Sequence, residues 1–134
     1  MSEAVRRLGP MRIKMCSLHV TDPAAAHAFY TGTLGFDTLL AMPEANLFIV
    51  TSPDSGGVGL LLEPSDNPIG ESYRKGVYDA GLPAIVLGSP DVRADYERLS
   101  AAGVGFRGEP TEDPSGLSAV FDDGHGNLIQ LHQD

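Results

Sequence analysis

The chain has no tryptophan, a single cysteine and only 9 basic residues against 18 acidic ones, a formal net charge of −9 over 134 residues. One cysteine excludes an internal disulfide and agrees with a reducing, cytoplasmic location. Cys16 falls in a strand-like stretch and is expected to be a small buried apolar residue. The acidic balance argues against nucleic acid or an anionic membrane as partner and would suit a cationic small molecule. No run is long and apolar enough for a membrane span, and "MSEAVRRLGP" at the start lacks the apolar stretch of a signal peptide. Met1 to Pro10 therefore reads as a frayed leader. There is no CxxC, no glycine-rich phosphate loop after a strand and no strained nucleophile turn.

What is present is a supersecondary unit written twice. "SLHVTDPAAAHAFYTGTLGF" (17–36) and "AIVLGSPDVRADYERLSAAGVGF" (84–106) each run from an apolar strand through a small polar residue and proline into an amphipathic segment that stops at glycine. Asp22 and Ser89 are placed to cap the two helices, and Pro23 and Pro90 to start them. Ala26, Phe29, Tyr30 and Leu34 in the first copy fall at helical spacing, as do Val92, Tyr96 and Leu99 in the second. Gly35 and Gly103 end them.

Three strand-like segments follow each helix: 37–42, 46–52 and 58–63 in the first half, 106–109, 117–122 and 127–132 in the second. Both halves read β-α-β-β-β. The expected organisation is one domain over 1–134, with a first module at 12–64, a connector at 65–82 holding a short helix over 71–79, and a second module at 83–133. The expected fold class is α+β: two βαβββ modules forming a curled mixed-sheet cup, with the helices outside. Every second strand residue would face the cup.

The repeated βαβββ order, the helix end "AFYTGTLGF", "LLLEP" closing the first half and "DDGHGNLIQLHQ" at the C-terminus resemble the vicinal oxygen chelate superfamily. That group includes glyoxalase I, extradiol dioxygenases and the fosfomycin- and bleomycin-resistance proteins. The resemblance covers 12–133. It implies four metal ligands, usually His, Gln or Glu, on the first and last strands of each half. They map here to Met15, to Leu61 or Glu63, to Ala84 and to Gln130. A thioether and a methyl group are poor or impossible ligands for the hard and borderline metals such sites hold. The expectation is therefore small-molecule binding in the cup with no cofactor, as in the bleomycin-resistance branch. The alternative is a lyase or dioxygenase of the glyoxalase type, with a divalent metal held by a displaced set of His19, Glu63, Gln130 and His132.

The candidate ligand-binding residues are His19, Glu63, Gln130 and His132 on strands, with Tyr73 and Tyr78 on the connector. No catalytic residue can be named, although His19 or His132 could serve a metal-free enzyme as general base. His27, His125 and Arg74 are expected in solvent. The resemblance also implies a homodimer, and the sequence leaves open whether the cup forms within one chain or between two.

Overall fold

The structure, a computed structural model, describes residues 9–54 and 57–134. Most of the expected leader lies outside these residues. The elements are β1 (Met15–Val20), α1 (Pro23–Gly32), β2 (Asp37–Met42), a 3₁₀ turn (Pro43–Ala45), β3 (Leu47–Thr51), β4 (Gly59–Pro64), α2 (Pro68–Asp79), β5 (Pro83–Gly88), α3 (Val92–Ala101), β6 (Gly105–Phe106), β7 (Thr111–Asp113), β8 (Gly116–Asp122) and β9 (Leu128–Gln133). The fold is the expected α+β pair of βαβββ-like modules. One sheet runs β1-β4-β3-β2, and the other β5-β9-β8-β6 with β7 also on β8. The first strand of each module pairs in parallel with its last, β1 with β4 and β5 with β9, and the remaining pairs are antiparallel.

The first helix starts as its sequence dictates. Asp22 Oδ1 accepts from the Ala24 and Ala25 N–H groups at 3.1 and 3.4 Å, with Pro23 at the first helical position. The second copy starts two residues later than expected. Asp91, not Ser89, is the cap, accepting from Ala94 N at 3.0 Å. Ser89 supports that carboxylate cap: its hydroxyl accepts from Asp91 N and donates to Asp95. A charged acceptor beside the free N–H groups also meets the positive end of the helix. The connector helix is longer than 71–79, because Asn67 caps it through Gly70 N at 2.8 Å and Pro68 opens it.

Of the segment read as one strand, 106–109, only Phe106 is in a strand, as the second residue of β6. Gly108 and Pro110 interrupt the ladder, so β6 and β7 pair with β8 separately. Residues 111–113, expected in a turn, form β7.

One face of each sheet is covered by helix and carries the core. Leu18, Val20, Phe48, Val50 and Leu62 on the first sheet share a single cluster with Ala119, Phe121, Ile129 and Leu131 on the second. The α1 helix joins them. Its Tyr30 is fully buried, and its Phe29 ring lies 6.5 Å from that of Phe121. The α3 side is closed by Tyr96 edge-on to Phe106 at 4.7 Å, with Phe106 against Phe121 at 5.4 Å. The helix-covered faces of both sheets thus share one core, with α1 touching each.

Candidate functional site

The turn at 122–127 joins the modules. Asp123 is 2% exposed. Its Oδ2 accepts from the Tyr30 hydroxyl at 2.7 Å and from Asn127 Nδ2, and its Oδ1 from the His125 and Asn127 N–H groups. Burial, reinforced by the Asp123 carboxylate, holds the Tyr30 phenol well above its ordinary value. Asn127 Nδ2 also donates to the His19 carbonyl at 2.8 Å, and Thr21 N to the His125 carbonyl at 3.1 Å. These bonds span most of the chain and fix the end of β1 against the start of β9.

The connector helix is fastened to the same turn. Arg74, expected in solvent, has a side chain only 11% exposed, paired with Glu71 and donating to the Gly126 carbonyl at 2.9 Å. Tyr78 donates to Asp122, which holds its phenol above the ordinary value, and Arg107 bridges both. Tyr78 is thus bound into the second sheet, whereas Tyr73 stays 60% exposed and sits edge-on to His19, with ring centroids 6.2 Å apart.

The uncovered faces carry the other candidates. On the first sheet, the alternate residues of β1 (Met15, Ser17, His19) lie beside Gly59, Leu61 and Glu63 of β4 in register. Ile49 of β3 continues the row from Leu61. Gly59 has no room for a side chain, since a Cβ would come 2.8 Å from Ile49 and 3.3 Å from Leu39, whose side chains cover it. On the second sheet, Gln130 lies between Val86 and Val120, and His132 between Gly88 and Ser118. Met15 and Val86, 47% and 59% exposed, are large apolar side chains left open to water. The side chains of Ser17, Glu63 and Gln130 make no hydrogen bond within the described chain. Those of His19 make none either. His132 differs: its Nε2 meets the Ser115 carbonyl at 2.9 Å.

His19 and Glu63 are therefore neighbours, as are Gln130 and His132, but the two pairs stand on different sheets. Among the described residues no group of three His, Cys, Asp or Glu side chains could hold a metal ion. The mapped positions do not fit a metal either, since Ala84 offers no donor and Met15 only a thioether.

Three expectations for other residues are corrected. Cys16 is exposed. It is the second residue of the edge strand β1 and lines an apolar hollow of about 290 Å³ with Phe36, Val50, Leu60, Ile85 and Leu87. His27 is half-buried, with Nε2 2.7 Å from Thr38 Oγ1 and its ring 5.0 Å from Phe48. His125 packs on Phe29 at 5.5 Å. The Asp122–Tyr78–Arg107 cluster was not anticipated, because Arg107 carries no local signal and meets its partners only through the second sheet.

Residues 12–131 match the model of the Glyoxalase/Bleomycin resistance protein/Dioxygenase superfamily. The uncharacterized protein YurT of Bacillus subtilis (strain 168) is 40% identical over 92% of this chain and 99% of its own. Among solved structures, UcmS2 superposes with a TM-score of 0.76 at 32% identity, covering 92% of this chain and 98% of that one. TnmS3, an antibiotic binding protein from Streptomyces sp. CB03234, superposes with a TM-score of 0.70 at 29% identity, covering 93% and 97%. No described helix is long and apolar enough to cross a membrane.

Proposed function

The chain belongs to the Glyoxalase/Bleomycin resistance protein/Dioxygenase superfamily, and from that premise we propose that it binds a small organic molecule without the metal centre of the catalytic members. The observation that carries this reading is the donor set at the mapped positions, Met15, Leu61 or Glu63, Ala84 and Gln130. These residues leave a cleft wall with hydrogen-bonding and apolar groups but no metal cage. The likeness to an antibiotic binding protein supports an antibiotic-like ligand. The net charge of −9, with Glu63 unpaired on the open face, favours one that carries a cation.

A single open sheet face is one wall of a cup. We assign the other wall to a second copy of the chain, so that the Met15–His19 face of one protomer opposes the Val86–Gln130 face of its partner. That arrangement covers the exposed Met15 and Val86 and brings His19, Glu63, Tyr73 and Gln130 around one space. The lone, unbridged Cys16 suits a cytoplasmic setting.

Calorimetric titration of the purified chain with zinc, with manganese and with the cationic glycopeptide bleomycin tests the reading, alongside sedimentation equilibrium. The expected results are saturable binding of the glycopeptide, no stoichiometric metal uptake and a mass twice that of the chain. Tight one-to-one metal binding would overturn it in favour of a glyoxalase-type enzyme.

A further inference from the structure

His19 is held differently at its two ring nitrogens. Nδ1 is buried and has no hydrogen-bond partner. The Cε1–Nδ1 edge lies on Gly70, so close that a Cβ there would stand 2.9 Å from Cε1 and 3.0 Å from Nδ1. Gly70 is in the first turn of α2, two residues after Pro68. Asn67 Nδ2, a donor, also lies beside that Cβ position, 3.5 Å from it, because Asn67 Oδ1 accepts from Gly70 N. Nε2 is neither bonded nor sealed from solvent.

A neutral imidazole carries one N–H and one lone pair, and its surroundings choose which nitrogen holds which. An N–H at Nδ1 would be a buried donor with no acceptor, pointing at the positive end of a 12-residue helix. A lone pair there, packed against the first turn of that helix, meets its positive end favourably. The geometry points to His19 as a fixed Nε2–H donor on the open face, selecting ligands that place an oxygen acceptor, such as a carbonyl or ether oxygen, between β1 and Tyr73.

This assignment removes two other roles. A histidine that binds a metal through Nε2 needs the proton on Nδ1, normally given to an acceptor, and here none is present. A general base acting through Nε2 needs the same tautomer. The inference rests on the open face as the ligand site, but the tautomer is measured on the ligand-free chain, so it can fail while ligand titration succeeds, and the reverse.

The test is a two-bond ¹H–¹⁵N correlation spectrum of the ¹⁵N-labelled full chain at pH 8, with His19 assigned by its loss in His19→Gln. The expected pattern has the proton on Nε2 and a bare Nδ1, with a preference of about tenfold or more over the other tautomer. A protonated Nδ1, or two averaged nitrogens, overturns the inference. Equimolar zinc is expected to leave the His19 signals in place, and zinc coordination at Nε2 overturns it. Gly70→Ala is expected to shift the Nδ1 signal and weaken the preference. An unchanged His19 spectrum in the folded variant overturns the claim that α2 sets the tautomer. Should that variant not fold, the native spectrum and the zinc titration still decide.

Discussion

The 122–127 turn and the open sheet faces differ in how fully their polar groups are used. In the turn, both oxygens of the buried Asp123 have partners, Asn127 bonds to the β1 backbone, and Arg74 reaches in from the connector. On the open faces, Ser17, His19, Glu63 and Gln130 have no side-chain bond within the chain, and Met15 and Val86 are wet. A buried polar network that is complete fixes one arrangement of the modules. Polar groups left unpaired on a half-exposed face, beside exposed apolar ones, are what a binding surface needs. Stability is therefore expected to reside in the turn and recognition on the faces.

Asp123→Ala should break this contrast most severely. It leaves the Tyr30 hydroxyl and two backbone N–H groups unpaired in the core, a loss of about 3 kcal/mol or more in urea unfolding. Tyr30→Phe removes one donor from the same carboxylate and should cost about 2 kcal/mol. It should also flatten the alkaline limb. Because the folded phenol is raised above its ordinary value, its contribution is fully present below that value and is lost as pH rises from there toward the folded value. Thermal melts of both proteins from pH 8 upward check the sign.

Gly126→Ala should cost about 1–2 kcal/mol, since φ is +94° and a Cβ would meet Arg74 Nη1 at 2.3 Å. At the other end of the scale, Gln130→Ala should change stability by less than about 0.5 kcal/mol while weakening glycopeptide binding several-fold by calorimetry. A large stability loss there would mean that the open face is structural and would erase the contrast. The smallest effect is expected at Glu71. Its carboxyl is lowered, first by the Arg74 hydrogen bond, so its contribution is present above the ordinary carboxylate range and fades as pH falls through the lowered value. Glu71→Gln should shift only the acid end of a melting curve, and only slightly because the group is exposed.

Much of the fold could be read because its signals are local. Asp22-Pro23, the apolar spacing to Tyr30 and the glycine stops specify α1 within about fifteen residues of chain, and β2 falls at 37–42 as expected. The departures came where two acceptors competed, Ser89 with Asp91, and where Gly108 and Pro110 interrupted a strand. The candidate site was legible as alternate positions on β1, β4 and β9, because the side-chain period of a strand is two. The environment of each residue was not. Nothing near Arg74 in sequence announces the Gly126 carbonyl, 52 residues away. Nothing near Cys16 tells that its strand forms a sheet edge.

The sequence alone determined the duplicated βαβββ plan, the helix starts and the absence of metal donors at Met15 and Ala84, since each depends on residue identity and short-range spacing. Tertiary structure decided that helix-covered faces meet in one core through Phe29 and Tyr30, and that Gly70 seals one nitrogen of His19 while leaving the other free. These are contacts between segments far apart in the chain, set by how the sheets and helices bury their apolar sides together.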